Sequence, residues 1–191
     1  MSLLAAADEA RLLAIARASV AHGLEYRRAL ALDVSVESPA LRALGASFVT
    51  LRTPEAALRG CVGTLEAVRA LAEDVAENAF RAAFHDPRFA PLGSGEIEGV
   101  ELSIAILGEP EGLAALSADE LAAQLRAGRD GLILCQGERR ATFLPAVWAS
   151  IPDAREFVRA LERKAGIEDW KGNAPVEAFR YATTTIGGRT Q

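Results

Sequence analysis

Apolar residues near the start of the chain return every three or four positions. Leu12, Leu13, Ala16, Val20 and Leu24 form one stripe, with Glu9, Arg11 and Arg17 off it, which predicts an amphipathic helix over 5–24. The same period recurs over 71–84, where Leu71, Val75, Ala79 and Ala82 share a face, and over 153–165, where Phe157 and Leu161 do. The second of these helices must stop at His85-Asp86-Pro87, because proline disfavours the α conformation of the residue before it. The third opens on Asp153 and Glu156 at capping-box spacing and closes at Gly166. A fourth helix, 117–127, opens on Ser117 and Glu120 and ends before Gly128.

Between the helices the period drops to two. Segment 46–52 is β-branched and aromatic, Thr53-Pro54-Glu55-Ala56 is a turn, and 58–65 continues as a second strand broken by Gly60 and Gly63, so a bulged hairpin is expected. In 100–107, Val100, Leu102, Ile104 and Ile106 alternate with Glu101, Ser103 and Ala105. A second hairpin pairs 131–136 with 140–144 around Gly137-Glu138, and 179–186 reads as one last strand. Ser38-Pro39 opens a short turn or helix that Gly45 closes. Strands that arrive as hairpins between helices, without regular βαβ alternation, indicate an α+β fold with antiparallel or mixed sheets and flanking helices.

Composition narrows the class. The chain has 191 residues, half of them hydrophobic and 25% charged, which suits one domain over 1–191 with a substantial core. The net charge of −5 makes nucleic acid an unfavourable main partner. Residues 1–7 lack the positive segment of an export signal, and no run approaches the ~18 apolar residues of a membrane span, so a cytoplasmic protein with no membrane partner is expected. Cys61 and Cys135 are too few for a disulfide framework and are expected as reduced thiols.

Three stretches carry chemistry. In Leu58–Leu65, Gly60 and Gly63 bracket Cys61. Two glycines in one strand weaken it, so they are expected where the backbone bulges or another group approaches closely. Such a bend would present backbone N–H groups and the thiol together, with Arg59 beside them to hold an anion or activate the thiol and Thr64 as a hydroxyl donor. The plain alternative is a buried cysteine acting as a small hydrophobe. The second stretch, Ala82–Phe89, places His85 at a helix end, as base, ligand or cap, with Asp86 and Arg88 as a local ion pair. Cys61 with His85 is the minimal nucleophile–base pair, although nothing in the spacing brings them together. The third, Arg139–Trp148, runs a strand into a proline turn where Phe143 and Trp148 wall a pocket or simply fill core. No C-x-x-C or H-x-x-x-H spacing points to a metal, and no motif names a cofactor.

These stretches together resemble the AMMECR family, the group that includes the AmmeMemoRadiSam system A proteins. The carrying residues are L-R-G-C-V-G-T (58–64), A-A-F-H-D-P-R-F (82–89) and G-E-R-R-A-T-F-L-P (137–145). E-F-V-R-A-L-E-R-K-A-G-I (156–167), D-W-K (169–171) and F-R-Y (179–181) extend the likeness. The resemblance implies an α+β fold of two lobes, larger and smaller, with the Gly-Cys segment near a cleft between them. It also implies a setting beside Memo-like and radical-SAM proteins, and it brings no established activity. Position 62 is Val where Ile is frequent, and Ala146 stands where a polar Gln is frequent. The leading expectation is an accessory component that binds a small anionic or peptide ligand, or a partner, through Arg59, Gly60, Gly63, Thr64, Asp86, Arg88, Phe143 and Pro145. An enzyme acting through Cys61 and His85, and a scaffold with an inert Cys61, stand beside it.

Overall fold

Helix α1 (Ala6–Tyr26) turns Leu12, Ile15, Ala16, Ser19, Val20 and Gly23 inward, the spacing its apolar stripe demands. It stops where Arg27 enters the left-handed region at φ 56° and its N–H bonds back to Gly23. The computed structural model describes residues 4–167, 169–170 and 174–188. Lys171 of the D-W-K motif lies outside the described residues.

The chain divides into two compact units, one built from 1–107 with 184–191 and the other from 108–183. In the first, α2 (Pro39–Arg42) begins on the Ser38 hydroxyl, which accepts the Leu41 N–H. The two-residue strands β1 (Leu44–Gly45) and β4 (Arg69–Ala70) form a small ribbon. The main sheet contains β2 (Ser47–Arg52), β3 (Leu58–Gly63), β5 (Glu101–Leu107) and β10 (Thr183–Gly187), in the order β10-β5-β2-β3. Strand β2 buries Ser47, Val49 and Leu51, leaving Phe48 and Thr50 half-buried on the opposite face. Helices α1 and α3 (Leu71–Phe84) pack on the buried face, where Leu12, Ile15, Val49, Leu51, Val75, Ala79 and Ile104 share one core. Small residues allow close helix approach: a Cβ on Gly23 would stand 2.4 Å from the Phe84 ring. The Ser19 hydroxyl, 0% exposed, is satisfied by the Ala76 carbonyl at 2.7 Å.

The second unit holds β6 (Glu111–Leu113), α4 (Ala118–Ala122), β7 (Gly131–Gln136), β8 (Arg139–Phe143), α5 (Ala154–Ala165) and β9 (Glu177–Tyr181). Its antiparallel sheet runs β6-β9-β7-β8. Phe157, Val158 and Leu161 of α5 bury against Leu132, Leu134 and Trp148, and the Trp148 and Phe157 rings stack at 3.9 Å.

The α+β class, the antiparallel hairpins and the three main helices follow the sequence expectation. Ser117 accepts from Glu120 and Asp153 from Glu156, as both capping boxes require, and Gly166 closes α5 at φ 71°. Helix α4 is shorter than expected. After Ala122 the bonds tighten to three-residue turns, and the Asp130 carboxylate takes the Arg126 N–H at 2.9 Å, so the helix cannot propagate to 127. The expected single strand over 179–186 is two strands in different sheets. The chain changes sheet at Ala182, whose carbonyl accepts from Gly108 instead of from a ladder. Among the described residues no helix is long and apolar enough to cross a membrane.

Candidate functional site

Strand β3 is an edge of its sheet, so alternate peptide groups point away from β2. The bulge falls next to the first glycine: Leu51 pairs with Gly60 and Arg52 with Leu58, leaving Arg59 as the extra residue. Both glycines answer to close approach. A Cβ on Gly60 would lie 2.1 Å from the Ala82 carbonyl oxygen of α3, and one on Gly63 would lie 2.3 Å from the Phe48 ring. Cys61, between them, is half-buried opposite Thr50, whose hydroxyl donates to its sulfur at 3.4 Å.

The Cys61 peptide is not free. Its N–H donates to Oδ2 of Asp86 at 2.8 Å, and its carbonyl accepts from Nη2 of Arg88 at 3.3 Å. Asp86 and Arg88 are themselves joined at 2.6 and 2.9 Å. Their placement follows from local chemistry. Asp86-Pro87-Arg88-Phe89 is a turn with proline at its second position, closed by the Phe89 N–H on the Asp86 carbonyl. The Asp86 side chain also accepts the Arg88 N–H at 3.1 Å, an Asx-turn. Asp86 is only 5% exposed. The Arg88 guanidinium, then the N–H groups of Cys61 and Arg88, hold its carboxyl well below the usual carboxylate range, against the upward pull of burial. The ion pair expected from sequence is present, and its work is to close the open edge of β3.

Arg59 reaches Glu96, with bonds of 2.7 and 3.1 Å, and Glu96 also accepts the Gly93 N–H at 2.8 Å. Arg59 and then that N–H lower the Glu96 carboxyl to about 2. Both guanidinium groups flank Phe89, at 6.0 Å for Arg59 and 5.5 Å for Arg88. Phe89 is the aromatic centre of this cluster, and the sequence reading passed over it.

His85 caps α3 and is exposed. Its ring lies 5.0 Å from that of Phe80, and no hydrogen bond joins it to Cys61 among the described residues. The Thr64 hydroxyl donates to Asp74 at 2.7 Å. Asp74, fully buried, also accepts the Ser47 N–H and hydroxyl at 2.8 and 2.7 Å and the Asn78 amide at 2.9 Å. This cluster ties β2 and the end of the Gly-Cys motif to α3. It was legible as Asp74 and Asn78, four residues apart on a helix face otherwise apolar. Phe143 and Pro145 belong to the second unit. The Phe143 ring meets the Phe157 ring edge-on at 5.3 Å and lies 5.2 Å below the Lys164 ammonium, while Pro145 starts the turn 145–149. Nearby, Tyr181 shares a 2.7 Å hydrogen bond with Thr142, and burial pushes its phenol up to about 12. Among the described residues no group of three or more His, Cys, Asp or Glu stands close enough to hold a metal ion.

The chain is similar to a Thermofilum pendens protein, 34% identical over 197 aligned positions that span 95% of this chain and 90% of the relative. A Thermotoga maritima protein is 31% identical, with 83% and 86% covered. The fold matches the crystal structure of an uncharacterized protein from Pyrococcus horikoshii with a TM-score of 0.81 and 26% identity, over 92% of this chain and 88% of that one. The AMMECR1 family profile matches residues 13–186, and with relatives of this identity and coverage the chain belongs to the AMMECR1 family.

Proposed function

We infer that this protein is a binding component that docks partner proteins through the surface around Leu58–Thr64 and the turn Asp86–Phe89, with Memo-like and radical-SAM proteins as its partners. One observation carries the reading. The polar groups that sequence spacing offers for chemistry are committed to bonds within the protein: Asp86 and Arg88 fix the Cys61 peptide, Thr64 bonds the Asp74 side chain, and Arg59 bonds the Glu96 side chain. A motif held this firmly presents a preorganised surface, which lowers the cost of association. The Arg88 side chain is 54% exposed there. Val68 and Leu44, at 62% and 67% exposure, add apolar area on and beside the β1–β4 ribbon.

The test is co-purification of the tagged chain with the Memo-like and radical-SAM proteins of its own organism. A stoichiometric complex is expected, unaffected by Cys61→Ser and weakened by Arg88→Glu or Val68→Asp. Absence of binding to either protein rejects the reading.

The second reading, an enzyme using the Cys61 thiol, is favoured by the Thr50 hydroxyl on Sγ. In that reading His85 turns from Phe80 to act as base. Fast alkylation of Cys61 in the folded protein, together with loss of function in Cys61→Ser, selects it. A thiol inert until unfolding selects the scaffold instead.

A further inference from the structure

One cavity lies away from the Gly-Cys motif. It opens between α1 and the buried face of the first sheet and measures about 240 Å³. Its floor is Val20, Leu51 and Leu102, all under 5% exposed, with Leu51 and Leu102 direct partners across β2 and β5. One wall is the segment before β5, which contributes Ile97 and Val100. That wall is braced, because the neighbouring Glu96 is bound to Arg59 of β3. At the mouth, Arg17 and Ala21 stand one turn apart on α1, both exposed.

Arg17 is the only charged side chain on this apolar chamber among the described residues. It makes no ion pair and no hydrogen bond among them. Arg59 and Arg88 of the same unit are each bonded to a carboxylate, whereas the Arg17 guanidinium stands at the edge of an apolar floor. A guanidinium binds a carboxylate in bidentate fashion, and the floor takes hydrocarbon. The space beyond Arg17 is polar, bordered by Glu98, Glu101 and Gly188. An anion at the mouth would therefore sit on the Arg17 side, and the carboxylates would discourage a second negative charge farther along. The volume is below the ~300 Å³ at which pockets for drug-sized ligands begin and equals roughly eight water volumes. It suits an occupant of about that many heavy atoms.

We propose that this cavity is a binding site for a small amphipathic monocarboxylate, its hydrocarbon end on Val20, Leu51 and Leu102 and its carboxylate on Arg17. The proposal is independent of the partner-docking reading.

The probe is hexanoate, titrated into the full chain while backbone amide resonances are followed, with 1-hexanol and hexylammonium as comparators. Saturable shifts are expected at Val20, Ala21, Leu51, Val100 and Leu102. Arg17→Gln, at an exposed position that leaves the fold intact, weakens binding at least tenfold. Ala21→Phe, which fills the mouth, abolishes it. Hexanol binds at least tenfold more weakly than hexanoate. No saturable shift up to about 10 mM overturns the proposal, as does equal binding of hexanol. Tighter binding of hexylammonium overturns it too, since that assigns the charge recognition to Glu98 and Glu101.

Discussion

Asp86 accepts the backbone N–H of Cys61 at 2.8 Å across 25 positions of sequence. With Arg88 on the Cys61 carbonyl, a helix-terminal turn supplies the hydrogen bonds that a further strand would make to β3. Asp86→Ala leaves a half-buried N–H unpaired and removes the Arg88 partner, at a cost of about 2 kcal/mol. Urea unfolding should show a lower midpoint, and hydrogen exchange should speed up at the Cys61 amide. An unchanged midpoint with a protected amide would show that the clamp contributes nothing.

The same carboxylate makes stability pH-dependent. Its folded value is depressed by Arg88 and two N–H groups, so its contribution is full above about pH 4, the ordinary aspartate range, and disappears as pH falls through the folded value. The difference in urea midpoint between the wild type and Asp86→Asn should shrink below about pH 4. A gap constant from pH 7 to pH 2 contradicts this account.

The two motif glycines differ in what they face. Gly60→Ala drives a methyl into a helix carbonyl, which moves only with α3, whereas Gly63→Ala meets a ring that can tilt. Overpacking of this kind costs about 1–3 kcal/mol. Gly60→Ala should sit at or above the top of that range and Gly63→Ala near the bottom, measured as shifts in thermal midpoint. The reverse order is the outcome against it.

At alkaline pH the second unit should weaken first through Tyr181. Burial raises its phenol to about 12 from an unfolded value near 10. The neutral, hydrogen-bonded form is thus favoured in the fold. Its contribution is complete below about pH 10 and lost between about 10 and 12. Tyr181→Phe should cost about 1 kcal/mol at pH 7 and flatten the alkaline loss. Identical alkaline profiles for both proteins would remove Tyr181 as the cause.

Much of the framework was legible in residue spacing. Helix 71–84 was read with the bounds it has, and the capping residues at Ser117 and Asp153 act as their spacing required. The bulge was expected within 58–65 and occurs at Arg59. The site was read in part. The Asp86–Arg88 pair was visible because its members stand two positions apart, with only Pro87 between them. Phe89 and Asp74 were missed: an aromatic in a loop looks ordinary until its neighbours are known, and the only local mark of Asp74 is its spacing to Asn78 on an apolar helix face.

By itself the sequence determined the elements that depend on residues a few positions apart: the apolar period of α1, α3 and α5, their caps, the hairpin turns and the Asx-turn at Asp86. Its motifs also carried the likeness to the family. Only the tertiary structure decided what Gly60 and Gly63 avoid, which peptide Asp86 serves, what Asp74 gathers and how 177–187 divides between two sheets. Those outcomes depend on which surfaces meet across tens of residues, and the meeting is chosen by burial of the core as a whole, which no local pattern records.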